Sequence, residues 1–454
     1  MRIILRILTS RDRATSRPWV TGLVVLAFVA RIAARLWSGE SEFLRGSYGF
    51  YLSLARGLLD GHGFCGPDGD ACAFRLPVYT AWVAPFEATG TLYPGLVMAQ
   101  AALGASMVWM AWRAAAARFG VTAGLAAATL TAVSPYAVVH DTALQDSVMA
   151  NVLVAGTLAA IAGIGPRERA SVRVLLAGSV AALAVLTTAR VAFVLPAVGV
   201  WALVSVHDWP TRLQRSFLVM VPVMVLVGGW TLRTNRLIGS PVLTTESDTS
   251  LWFANNPATF SSFPRRSIDR SAVQSYAILT DAKRAALEAV ADDRVAYARL
   301  TRSWAFEYIR SQPVATLRGA ARKVWVVVAA ELSPARGWLL QSGYGVFFGT
   351  VHLLAAWALW RDRRQWRQDA PAWALLTGFL AITAVYWAHT SHKSAIDVPL
   401  FVYAGGTIAR LARRASDETG GAGAPCPVTG EEVPGWQAAP GPDADDVACD
   451  MKTM

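Results

Sequence analysis

The sequence predicts an all-α polytopic membrane protein with about ten transmembrane helices and extracytoplasmic loops, and three observations carry that prediction. Of its 454 residues 54% are hydrophobic and only 16% charged, where a soluble domain has about 25% charged; mean hydropathy is +0.37. Apolar runs recur along the chain at lengths near the roughly 20 residues that a helix needs to cross about 30 Å of hydrocarbon. Arginines gather at alternate turns between those runs, the usual mark of cytoplasmic loops. Together these exclude a disordered chain and argue against an ordinary cytosolic enzyme. The sequence has neither a P-loop nor a dinucleotide-binding glycine fingerprint, which argues against an ATP-driven pump.

In chain order, Arg2, Arg6, Arg11, Arg13 and Arg17 make a basic cytoplasmic N-terminus, 1–18, ahead of a first apolar run at about 19–37. That run is long for a cleavable signal peptide, so it is read as a retained span. Further runs centre near 92–112, 120–139, 148–164, 172–189, 191–206, 216–232, 338–360, 371–389 and 398–412. A short apolar piece at 77–87 reads as re-entrant and one at 324–331 as interfacial. Arg113 and Arg118, then Arg167, Arg169 and Arg173, then Arg212 and Arg215, then Arg361, Arg363, Arg364 and Arg367 fall on one side, with both termini. The membrane domain is therefore 19–414, with outer segments at about 38–76, 140–147, 233–337 and 390–397. The third is long enough to escape the charge rule and has helical stretches, notably 279–311.

The tail, 415–454, holds eight acidic residues and one lysine, a net of −7 in a chain of +11, so the rest carries +18. It is rich in Gly, Pro and Ala and has too little apolar surface to fold, so it reads as a disordered acidic cytoplasmic tail. The basic residues of the body flank apolar runs, which points to membrane lipids and not to nucleic acid. The Ala- and Arg-rich composition with basic flanks fits a bacterial inner membrane.

Ionisable groups at the outer ends of spans are costly near lipid, which makes them functional candidates. Glu40, Glu42 and Arg45 follow the first span, with solvated loop charges as the plain alternative. Helical periodicity then runs from Tyr48 to Leu59 and ends at Gly61 and Gly63. Cys65 and Cys72 bracket a turn-rich insert, as either a small disulfide or two free thiols; four cysteines in all are too few for a disulfide scaffold. The turn from His140 to Ser147 packs His140, Asp141 and Asp146 together, with helix capping by Asp146 or Ser147 as the alternative. Arg190 stands alone between apolar runs and needs an acid or an anionic ligand. Arg233 and Arg236 leave a span, Gly239 and Pro241 make a turn, Val242 and Leu243 look extended, and Asn255, Asn256 and Pro257 close the segment. Arg322, Lys323 and Glu331 follow later. Before the last span come His389, His392, Lys393 and Asp397, read as a cationic patch for phosphate; the histidine pair lacks the HExxH pattern of a zinc site.

These segments, in this order, resemble polytopic GT-C-type glycosyltransferases of the protein O-mannosyltransferase/aminoarabinose-transferase-like family 39 group. The resemblance runs from about Arg31 to Arg414. It rests on the Y-x-x-L-A-x-x-L-x-x-G-x-G-F run at Tyr51–Phe64, the R-x-P-x-Y run at Arg75–Tyr79, the outer acid Asp146 and the T-x-R at Thr188–Arg190. The W-T-L-R-x-N-x-x-x-G run at Trp230–Gly239, leading to Asn255–Pro257, and the P-L at Pro399–Leu400 complete it. The resemblance implies a polyprenyl-phosphate-linked sugar as donor. An outer carboxylate takes the proton of the acceptor, the sugar carbon inverts, and cations stabilise the departing phosphate. On this chain it points to Asp146 as principal base with Glu42, or Glu40, assisting. Substrate binding would fall to Tyr51, Arg75, His140, Arg190, Arg233, Asn255, Lys323, His392 and Lys393.

Two departures stand out. Relatives carry an acid before the aromatic pair of the first loop, where this chain reads Gly46-Ser47-Tyr48-Gly49-Phe50-Tyr51. Either Glu40 or Glu42 replaces it, or Asp146 acts alone, or transferase activity is lost. His392-Lys393 stands where many relatives have Arg-Tyr. The expectation is thus a membrane glycosyltransferase. A catalytically inactive relative that binds lipid-linked sugar, and a lipid-linked-sugar flippase or transporter, are the alternatives. No cofactor is assigned and a divalent cation is left open. The acceptor is unspecified among lipid, glycan and protein hydroxyls.

Overall fold

The computed structural model describes residues 13–44, 49–66, 72–165, 171–387 and 389–420. Outside the described residues lie the first twelve residues, Arg45 to Tyr48 with the Gly46-Ser47 departure, most of the insert between the cysteines, the turn with Arg167 and Arg169, and the acidic tail from 421 onward. The chain divides into a body, Met1–Arg413, and a unit from Arg414; of the latter only the end of one helix is described.

Each apolar run named above has a helix at its centre. The helices are Arg13–Leu44, Leu92–Phe119, Val121–Ala132, Ser147–Ala162, Val172–Thr187, Val194–Val204, Trp209–Ile238, Trp338–Arg361, Trp366–Val385 and Asp397–Gly420. Among the described residues five stretches are long and apolar enough to cross a membrane: Ser16–Leu44, Leu92–Phe119, Trp209–Ile238, the paired helices in Trp338–Val385, and Thr390–Asp417. The other apolar helices have 10–17 residues. Burial separates these stretches. The last has 78% of its apolar window inside the protein, the others 22–50%. The last helix is therefore the core element, and the others turn apolar faces outward, as Trp37, Phe217 and Leu353 do.

Small residues make that core possible. At Gly405 an added Cβ would lie 2.5 Å from the Ala123 carbonyl oxygen, so only glycine lets the last helix pack this closely on Val121–Ala132. Gly39, at φ 77°, breaks the first helix and redirects its end, which carries Glu40 and Glu42. In Trp209–Ile238, a π-helical turn over Met224–Gly228 follows Pro222, which has no N–H to donate.

The 77–87 piece is a helix, Pro77–Ala88, and the 324–331 piece closes the helix Pro313–Val328. The long segment after Ile238 folds into the helices Glu246–Ala254, Ile268–Ala277, Asp281–Glu288, Arg294–Ser311 and Pro313–Val328. Ser267, Thr280 and Asp293 cap three of them. Leu251, Trp252, Leu279, Trp304 and Ala305 give it a small core of its own. No strand occurs among the described residues; Val242 and Leu243 lie in the non-helical link between Ile238 and Glu246. Side chains of the preceding helix take the carbonyls that a neighbouring strand would have used. Trp230 Nε1 donates to Leu243 O at 2.9 Å and Thr234 Oγ1 to Val242 O at 2.6 Å.

At the end read as cytoplasmic, arginines tie helices together. Arg118 pairs with Asp369 at 3.0 Å, Arg410 with Asp362 at 2.9 Å, and Arg215 Nη2 donates to Gly165 O at 2.6 Å.

Candidate active site at the Asp146 end of the helix bundle

The turn from Asp141 to Asp146 is fixed from two helices. Arg31 of the first helix pairs with Asp141 at 2.8 Å, both side chains buried. Arg35, one turn on, donates to Thr142 Oγ1 at 3.1 Å. Gln100 of Leu92–Phe119 donates to the carbonyls of Asp141 (2.8 Å) and Ala143 (2.6 Å) and accepts from Tyr79 OH at 2.8 Å. An added Cβ at Gly104 would stand 2.4 Å from Arg31 Nε and 2.5 Å from Asp141 Oδ2. The glycine makes the space in which the ion pair lies.

This framework presents Asp146. It occupies the position before the Ser147–Ala162 helix, yet its carboxylate makes no capping bond. It accepts instead from Tyr51 OH on Oδ2 at 3.0 Å and from Arg190 Nη2 on Oδ1 at 2.9 Å. Arg190 also donates to Ser147 Oγ at 3.0 Å. The isolated arginine thus has its acid, and the capping alternative for Asp146 has no hydrogen bond behind it. Tyr51 lies edge-on to Tyr79, 4.7 Å between centroids, inside a cluster that includes Phe43 and Leu144.

A second carboxylate–arginine pair adjoins the first. Arg75 is bonded to Glu246, and its guanidinium lies 4.0 Å from the Phe50 ring centroid and 4.8 Å from that of Phe74. Thr245 N donates to Ala73 O at 2.9 Å and Thr244 Oγ1 to Phe74 O, which anchors the start of the Glu246–Ala254 helix beside Arg75. Burial raises the pKa of Glu246. Arg75 and Arg190 pull it down and the neighbouring Asp146 charge adds to the rise. Sequence reading passed over Glu246, because its segment, TTESDTS, looks like any solvated helix start. Its partner lies 171 residues away in the chain.

The other named residues have defined places. Arg233 donates to Cys72 O at 3.1 Å and stacks on Trp230 at 4.6 Å, bracing the loop closed by the Cys65–Cys72 disulfide. Lys323 and Asn255 converge on one backbone carbonyl, Val385 O, at 3.2 and 2.8 Å. Burial pushes the Lys323 ammonium down to about 7. Lys393 is buried, paired with Asp397 at 2.9 Å and set 3.1 Å from the Phe348 ring centroid. His392 lies 6.0 Å from His389, ring to ring. His389 is held down to about 4 by burial, with Arg190 and Arg336 adding to the drop against Asp269, so it is neutral at pH 7. His140 stacks on Tyr136 and is likewise near 4, through burial and then His389, Arg336 and Arg35. Around Tyr51 the charged groups that act on it are thus two acids, Asp146 and Glu246, and two arginines, Arg190 and Arg75. Glu40 and Glu42 are exposed on the first helix beyond its Gly39 kink, with Glu42 in the field of Arg35. Among the described residues no three His, Cys, Asp or Glu side chains are grouped as for a metal ion.

No known family matches the sequence, and no curated protein does. Solved structures do. The oligosaccharyltransferase of Archaeoglobus fulgidus, tethered to an acceptor peptide containing the NVT sequon, aligns over 88% of this chain and 50% of its own, with TM-score 0.51 at 12% identity. Its apo form aligns over 91% and 53%, with TM-score 0.50 at 12% identity. A looser likeness, TM-score 0.35 at 15% identity over 88% and 79%, is to ArnT from Cupriavidus metallidurans bound to undecaprenyl phosphate. The chain shares its fold with that oligosaccharyltransferase and spans about half of its length.

Proposed function

We propose that this chain is a membrane glycosyltransferase that moves a sugar from a polyprenyl-phosphate donor to an acceptor hydroxyl on the extracytoplasmic face. One observation carries the reading: two carboxylate–arginine pairs, Asp146–Arg190 and Glu246–Arg75, meet around Tyr51 at one end of the bundle. The GT-C fold supports it. Transfer needs a base for the acceptor proton and cations for the departing phosphate, and these pairs contain both. Each guanidinium can trade its carboxylate for a phosphate, since it binds both with the same planar fork. The released carboxylate then accepts the acceptor's proton as the acceptor oxygen bonds to the sugar carbon. The bond from that carbon to the phosphate oxygen breaks, its electrons leaving with the phosphate, and the carbon inverts. Asp146 is the principal base in this scheme. Burial raises the pKa of Glu246, which strengthens it as a proton acceptor once ionised. Tyr51 holds Asp146 in place. The cytoplasmic placement of both termini and a plasma-membrane location belong to the same proposal.

The test is complementation of a deletion strain, read by mass spectrometry of membrane lipids and glycans. The deletion should accumulate a polyprenyl-phosphate sugar and lack one glycan, which names donor and acceptor together. Wild type should reverse both changes, and Asp146→Asn should reverse neither while inserting normally. Full restoration by Asp146→Asn would remove it as the base. Donor binding without turnover by the wild-type chain would favour a binding protein, and sugar-lipid movement into vesicles without transfer would favour a flippase.

A further inference from the structure

The Ser147–Ala162 helix has the candidate active site at its start and a second feature at its end, about 20 Å away at 1.5 Å per residue. There a cavity of about 960 Å³ opens between five helices: Leu92–Phe119, Ser147–Ala162, Val194–Val204, Trp366–Val385 and the last helix. Its walls are apolar, with Leu158, Ile161, Val204 and Val402 among them and Trp201 buried beside them. Its mouth is basic: Arg364, Arg367 and His207 line it, and Trp366, 52% exposed, stands among them.

The charges at this mouth do not cancel. The acids nearest in sequence to the two arginines are Asp362 and Asp369, and both are engaged: Asp362 by Arg410, Asp369 by Arg118 and Tyr403; Asp208, beside His207, caps its own helix by accepting from Thr211 N at 3.1 Å. Arg367 donates to the ring nitrogen of His207 at 3.0 Å, which requires an unprotonated nitrogen there. Among the described residues neither Arg364 nor Arg367 forms an ion pair. An apolar chamber between membrane helices, with arginines and an exposed tryptophan at its rim, matches the chemistry of one class of molecule. That class has an acyl chain and a negatively charged head at the membrane interface.

We propose that this cavity is a binding site for an anionic glycerophospholipid. Its phosphate meets Arg364 and Arg367, and one acyl chain lies between the ends of the Ser147–Ala162 and Val194–Val204 helices. The site is separate from the Asp146 cluster and does not depend on the transferase reading. A soluble phosphate would use the rim but not the apolar walls.

Native mass spectrometry of the purified full chain, after exchange with mixed vesicles of phosphatidylglycerol and phosphatidylcholine, tests this. Wild type should retain phosphatidylglycerol in preference. The exposed double substitution Arg364→Ala/Arg367→Ala should lower that preference by roughly fivefold per arginine, the scale of one basic residue at an anionic surface. Leu158→Trp, which fills the chamber, should lower retention of the lipid with both arginines intact. Excess inorganic phosphate should not displace it. Equal retention of the two lipids by wild type, an unchanged preference in the double variant, or displacement by phosphate would each overturn the proposal.

Discussion

Replacing Asp141 by leucine tests whether the framework beneath the candidate site is electrostatic or merely space-filling. Arg31 and Asp141 meet at 2.8 Å with side chains 0% and 2% exposed. Arg31 Nη1 also donates to Ala27 O at 2.9 Å, while Nη2 is buried without a partner among the described residues. Removing one member of such a pair strands the other and costs about 3–5 kcal/mol. The two single variants should differ. Burial raises the Asp141 pKa and Arg31 opposes that rise, so in Arg31→Met the lone carboxyl can neutralise itself by binding a proton. In Asp141→Leu the arginine cannot shed its charge. Asp141→Leu should therefore cost the upper part of that range and Arg31→Met less, the gap widening as pH falls. The double variant Arg31→Met/Asp141→Leu should be more stable than Asp141→Leu alone. Denaturant unfolding in mild detergent, analysed as a double-mutant cycle, measures all three. A cost below about 1 kcal/mol for Asp141→Leu, against the range expected for a broken buried pair, or a double variant whose cost is the sum of the singles, would refute the reasoning.

Four further outcomes are expected. In a transfer assay Asp146→Asn should lose about 10²- to 10⁴-fold, the usual contribution of a general base, with donor retention intact. Glu246→Gln should also impair transfer, and should abolish an acidic limb of the pH–rate profile lying above the ordinary glutamate range, because burial raises that group; an unchanged profile would exclude Glu246 from the reacting set. Reducing the Cys65–Cys72 disulfide, seven residues apart, should cost roughly 2–3 kcal/mol by the loop-entropy relation, seen as a lower unfolding midpoint in reductant that Cys65→Ser reproduces. The folded Lys323 gives up its proton near 7 and an unfolded lysine near 10.5, so the unfolded chain binds more protons between those values and stability should rise with pH across that window. Lys323→Met should lack that rise, and an identical pH profile in wild type and variant would contradict it.

The helical frame was legible because apolar runs of span length leave little freedom in where helices go. Asp146 was legible too, as an acid in a short turn between two such runs. Its two bonds were not, because Tyr51 and Arg190 lie 95 and 44 residues away. Lys393 and Asp397 are four apart, a spacing that signals an ion pair on one helical face, and they form it. Their burial is a tertiary property that local pattern cannot show. The same holds for His389, whose neutrality comes from burial and from arginines on other segments. Glu246 was hidden for the opposite reason: its neighbours look solvated, and only the fold brings it under Arg75.

The exceptional burial of the final helix bears on how the protein is made. Ribosomes deliver this segment to the bilayer after the helices it packs against, and it supplies, together with the turn before it, Ser394, which accepts from Asn151 at 2.9 Å, and the Lys393–Asp397 pair. Until it arrives, the earlier helices leave uncovered the alanine backbone, Ala123 and Ala127, that faces Gly405. Packing of those earlier helices is thus completed only once the segment from 390 onward has been made. A nascent chain arrested before residue 390 would be inserted yet unassembled, with that backbone exposed to membrane quality control.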